Sequence, residues 1–100
     1  MTDRPDLASF RASLRQEGPP PDLPRPLLVL WHAARGEWAV AHEIAQAQDD
    51  EESAWVHAYL HREEGDVANA GYWYRRARRP VESGPLAREW ETIVEALLAE

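Results

Sequence analysis

The sequence contains no cysteine and no lysine. Without cysteine there is no disulfide framework and no thiolate to bind a metal or attack a substrate, and the compartment is left undetermined. All 11 basic side chains are arginine against 18 acids, a formal net charge of −7. A domain with that charge repels polyphosphate unless one face is locally basic, which disfavours nucleic acid as a partner. The exclusive use of arginine fits a base-composition bias, although arginine also favours planar, bidentate pairing. Long apolar runs are missing as well. The longest, "LLVLW" at Leu27–Trp31, falls far short of the roughly 20 residues of a membrane span, and "MTDRPDL" carries no apolar signal core. No membrane insertion and a cytoplasmic location are therefore expected. One hundred residues make one small domain with a single core, too small for a two-lobed enzyme.

Strand patterning is absent too, since period-2 alternation bounded by turn residues does not occur. Apolar residues instead recur at helical spacing outside one Pro-rich stretch, so the class is all-α. Residues 1–17 are predicted as an amphipathic capping helix, with Thr2 or Asp3 as N-cap, Pro5 in the first turn, Leu7, Phe10 and Leu14 on one face, and Gly18 as its stop. "GPPPDLPRP", residues 18–26, cannot continue a helix because each ring removes a donor and clashes with the preceding turn. It suits a stiff spacer of polyproline II character better than a ligand for a Pro-binding groove. Pro24 or Pro26 then falls in the first turn of the next helix.

What is present is an internal echo. "HAARGEWAVAHEIA" from His32 and "HREEGDVANAGYWY" from His61 align without a gap at an offset of 29 residues, placing Gly36 on Gly65, Glu37 on Asp66, Ala39 on Ala68 and Ala41 on Ala70. In each copy a helix ends at glycine and an acid follows that can cap the next helix. A small residue at Ala41 and Ala70 lets two antiparallel helices approach closely. "GDVANAGYWYRRA" resembles the second helix of a tetratricopeptide or Sel1-like repeat, with Gly65 at the turn, Ala70 at the crossing, Tyr74 as the large packing residue, Ala77 closing the helix and Pro80 near the terminating proline. The string "WVHAYLHREEGDVANAGYWYRRA" is also similar to a group of small, uncharacterised bacterial proteins. The resemblance covers residues 27–80 and implies two helical hairpins. It departs at His57 and His61, where such repeats bury apolar groups. A last capping helix over residues 83–100 follows, with Pro85 in its first turn. Leu86, Trp90, Ile93, Val94, Leu97 and Leu98 form its stripe, and Arg88, Glu89, Glu91 and Glu95 lie on the wet side. The expected whole is a short stack of two hairpins with a cap at each end.

The chemistry concentrates on two histidines. His57 and His61 lie four apart, so their rings share a helix face and could bind one metal ion, with Glu64 as a third ligand. A zinc-protease helix would have Glu directly after the first histidine, and Ala58 stands there. The favoured expectation is structural: both rings pack between helices and hydrogen-bond to Asp66, Asn69 or a backbone carbonyl, with no cofactor. His32, aligned with His61, either repeats that role or brings a third ring near. Ser9, Ser13, Ser53 and Ser83 sit in cap-like or surface contexts, and no nucleophile motif occurs, so acid–base work would fall on His57 or His61 with Asp66 as orienter.

Helix four is apolar nearly all round and needs cover on most sides. The repeat resemblance turns Trp55, Tyr59, Arg62 and Glu63 towards a concave groove, and spacing alone puts Trp55, Tyr59 and Arg62 on one face. Either the end helices fold over this face or a partner does. Asp49–Glu52 and the cluster Arg75, Arg76, Arg78, Arg79 stand where the helix dipole favours each sign. As a solvated face the cluster needs no further role; as a dock, Arg75, Arg76 and Arg79 suit an acidic partner. The resulting expectation is a helical-repeat module that binds another protein or a second copy of itself. A small His-based or metal-dependent enzyme, and an RNA-associated factor, are the alternatives.

Overall fold

A computed structural model describes residues 6–100. It contains six helices, α1 (Leu7–Ser13), α2 (Arg25–Ala34), α3 (Trp38–Gln46), α4 (Glu51–Glu63), α5 (Val67–Ala77) and α6 (Leu86–Leu98), and no strand among the described residues. The chain is all-α. No described helix is long and apolar enough to cross a membrane.

The N-cap of α1 is Asp6, whose carboxylate accepts from the Ser9 N–H at 2.9 Å. The expected caps Thr2 and Asp3, and Pro5, lie outside the described residues. α1 also stops at Ser13 rather than at Gly18. The reason is a tertiary contact: Arg35 reaches across and donates to the carbonyls of Leu14 and Gln16 at 2.7 and 2.9 Å, so these groups find partners without further helical turns. Ser13 itself is buried, donating to the Phe10 carbonyl and accepting from Trp31 Nε1 at 3.1 Å. Pro26 falls in the first turn of α2, after Pro24 in the N-cap position.

The two hairpin turns repeat each other bond for bond. Gly36 and Gly65 both take positive φ, +77° and +91°. In the first turn the N–H of Gly36 donates to Ala33 and that of Glu37 to His32; in the second, Gly65 donates to Arg62 and Asp66 to His61. This is the Schellman closure, which needs a left-handed residue where only glycine sits without strain. Asp66 then caps α5 by accepting from the Asn69 N–H at 3.3 Å. Glu37 does not cap α3; its longer side chain turns back to His32 and Arg35 instead.

Helices α2 and α3, and α4 and α5, pack as hairpins, with α2 and α3 both against α4. Ala41 and Ala70 are buried, as the close helix approach requires. Both outer helices flank the two hairpins in the chain, and they also meet each other. α6 lies across both α2 and α4, and α1 packs on α6, so the two share one side of the stack. Trp90 of α6 donates its indole N–H to the Leu30 carbonyl at 2.9 Å, and Arg11 pairs with Glu91. The core is assembled where α2, α4 and α6 meet, from Leu30, Trp31, Val56, Leu60, Ile93 and Val94.

Candidate functional site

The face expected to form a groove is the first correction. Trp55 and Tyr59 are buried at 7% and 5% exposure, and Arg62 is turned inward. Ile93 and Thr92 of α6 stand beside Trp55, and the Arg79 guanidinium lies 3.7 Å above its ring, leaving a cavity of about 180 Å³ there. Only Glu63 of that set is exposed. Covering an all-round apolar helix with the chain's own α6 removes apolar surface from water without requiring a partner.

Glu89 is the reason Arg62 faces inward. Expected on the wet side of α6, it is 3% exposed and accepts from Arg62 Nη1 at 2.7 Å and from the Tyr74 hydroxyl. Arg62 donates as well to the Gly84 carbonyl. Burial and this carboxylate together raise the Tyr74 hydroxyl above the usual phenol range. A spacing signal existed: Glu89 stands in the i, i+3, i+7 row Leu86, Glu89, Ile93 of the buried stripe. Ala70, Tyr74 and Ala77 are buried as their packing roles require.

The arginine cluster remains at the surface, but most of it is already paired. Arg76 meets Asp49 at 2.6 Å and Arg78 meets Glu51 at 3.2 Å, while Arg79 covers Trp55. Arg75 is exposed. Beside these lies Tyr72, 43% exposed and edge-on to the half-buried Trp73, with the Arg76 guanidinium 6.0 and 5.4 Å from the two rings.

Three of the four histidines converge in the seam between α3, α4 and α5. His57 Nε2 lies 3.0 Å from His42 Nε2, so one ring donates and the other accepts. His61 completes the group, with one ligand atom from each ring lying within 4.8 Å of the others. Its Nδ1–H donates to Glu64 at 2.8 Å, and the backbone N–H of Asp66 takes its carbonyl. Aromatic walls fix the other two rings. Trp38 stacks on His42 with centroids 4.7 Å apart, and Trp73 stacks on His57 at 3.9 Å. Trp38 is anchored in turn by donating to the Leu60 carbonyl at 2.8 Å. Burial, reinforced by the neighbouring imidazoles, pushes His57 down to about 4, and burial followed by His61 lowers His42. Both rings are therefore neutral near pH 7, and the lone pair of one Nε2 accepts the N–H of the other.

A comparison of the chain with models of protein families, with curated proteins and with solved structures finds no match. The helical-repeat likeness therefore rests on the residues quoted above, and the site on its own geometry. His57 and His61 do pack between helices, but not onto the expected Asp66, Asn69 or carbonyl partners. The third ring is His42 rather than His32, whose Nδ1 pairs with Glu37 at 2.7 Å. The repeat alignment hid it by setting His42 opposite Gly71; the visible signal was the i, i+4 pair Trp38 and His42 on α3. Among the described residues no hydroxyl is hydrogen-bonded to the cluster, and Ser13 and Ser53 are buried on Phe10 and Asp50. A cavity of about 640 Å³ is lined mainly from α1, the Pro-rich segment and α6, and one of about 500 Å³ by residues that include Arg11, Leu14, Ala33, Tyr59, Glu63 and Trp90; no histidine lines either.

Proposed function

We propose that this chain is a helical-repeat interaction module whose contact face is the outer side of α5, formed by Tyr72, Trp73, Arg75 and Arg76. The observation that carries this reading is the exposed Tyr72 ring, flanked by Trp73 and with the Arg76 guanidinium held at both rings. Tyr, Trp and Arg are the residue types that dominate interface energies, since each buries large area and keeps a polar handle. With Trp55 and Tyr59 enclosed by α6, α5 takes over the role first expected of α4. The matching partner is a protein segment that offers acidic groups to Arg75 and Arg76 and an apolar group to Tyr72.

The test is affinity capture and cross-linking with the wild-type chain and with the double variant Tyr72→Ala/Arg76→Ala. The double variant is expected to lose the partner while far-UV circular dichroism is unchanged, because both side chains project from the surface. A partner retained at full recovery by a folded double variant would refute this face. Capture of a second copy of the chain would place self-association on the same surface.

A further inference from the structure

We propose that His42, His57 and His61 form a binding site for one divalent transition-metal ion of the zinc class, with Glu64 as the group that orients His61. The inference rests on the histidine seam, which shares only Trp73 with the contact face on α5.

Convergence is the first ground. Three imidazoles from two helices bring one nitrogen each within 4.8 Å of the others, and the closest pair, His42 Nε2 and His57 Nε2, is 3.0 Å apart. Two nitrogens bound to a tetrahedral ion at about 2.0–2.1 Å lie roughly 3.3 Å apart. Admitting the ion between these two rings therefore needs an opening of only a few tenths of an ångström. The third ring must close by more, and it turns about a side chain whose far nitrogen is already tethered.

Orientation is the second ground. Zinc-bound histidines typically donate their other ring N–H to a carboxylate or a carbonyl, which fixes the tautomer and raises ligand basicity. His61 has that arrangement: Nδ1 donates to Glu64 at 2.8 Å, which leaves Nε2 with its lone pair. The remaining rings are fixed by stacking, His42 on Trp38 and His57 on Trp73, at interplanar angles of 9° and 13°. The scaffold thus restricts the rotamers of all three ligands before any ion arrives, which lowers the ordering cost of binding.

The donor set selects the metal. An all-imidazole site suits zinc, cobalt, nickel or copper, whereas magnesium and calcium take oxygen ligands. Three protein ligands leave a fourth position for water, and the half-exposed His42 ring marks the route in. The proton now on the Nε2···Nε2 line passes through solvent to Nδ1 of the same ring, so each ring stays neutral and gains one metal bond.

The experiment is equilibrium dialysis of the purified full chain against zinc chloride, with metal counted by mass spectrometry, and titration with cobalt(II) followed by its visible ligand-field bands. The expected result is one ion per chain, intense bands indicating tetrahedral nitrogen coordination, and a melting temperature that rises with zinc concentration. His42→Ala and His57→Gln should each abolish stoichiometric binding, while His32→Ala, outside the cluster, should leave it intact. Glu64→Gln should weaken binding about 10- to 100-fold through loss of the orienting carboxylate. Because His42 is only half-buried, its variant should fold, and circular dichroism confirms this before the metal is counted. Absence of zinc and cobalt binding by the wild-type chain would overturn the proposal. So would stoichiometric binding that survives in folded His42→Ala and His57→Gln.

Discussion

Removing the carboxylate of Glu89 should be the most damaging single change outside the apolar core. The side chain is 3% exposed, and its two oxygens accept from Arg62 and Tyr74, each from a different helix of the second hairpin. Glu89→Ala would leave a guanidinium at 15% exposure and a buried hydroxyl without that partner. Breaking a buried pair from one side costs about 3–5 kcal/mol. Arg62 keeps one hydrogen bond, to the Gly84 carbonyl, and some access to water, which favours the lower end, about 3 kcal/mol. For a domain of this size that corresponds to a fall of roughly 12–24 °C in melting temperature. Urea denaturation followed at 222 nm measures the free energy directly. The double variant Arg62→Met/Glu89→Leu, which removes both charges and keeps apolar volume, should recover most of the loss. A Glu89→Ala loss below about 1 kcal/mol, or a double variant as unstable as the single, would refute the idea that this pair pins α6 over α4.

The backbone offers two opposite tests. Gly65→Ala should cost about 1 kcal/mol in chemical denaturation, because φ is +91° while no atom lies within 4 Å of the added Cβ, so the penalty is conformational alone. Arg78→Gly should do the reverse and raise stability by up to about 1 kcal/mol, because Arg78 holds φ +60° at the end of α5 and its ion pair with Glu51 is exposed. Metal-free protein should also be acid-labile through His57. Its ring is neutral in the fold and pushed down to about 4 from 6.5, so the stability it carries is complete above about pH 6.5 and lost as pH falls towards 4. The loss is on the order of 3 kcal/mol. It is read as the part of the pH-dependence of urea stability between pH 7 and 4 that His57→Gln removes.

The sequence by itself determined the helices and their turns. Glycine at Gly36 and Gly65, the cap Asp66 and the small crossing residues Ala41 and Ala70 act through bonds and clashes within a few residues, so local pattern was enough to place them. The early stop of α1 lay outside that local pattern, because the carbonyls that follow it are taken by the distant Arg35. Only the tertiary structure decided what lies against what. Trp55 and Tyr59 looked equally suited to a groove and to a core, because helical spacing fixes the direction of a side chain but not what covers it. The crossing of α6 over α4 settled this, and it turned Glu89 from a solvated acid into the buried partner of Arg62. The histidines divide in the same way. His57 and His61 share a face by spacing alone, but the ring that joins them is His42, which stands 15 residues from His57 in the chain and reaches it through the packing of α3 on α4. No periodicity within either helix contains that register, since it is set by how their side-chain ridges interlock across the interface.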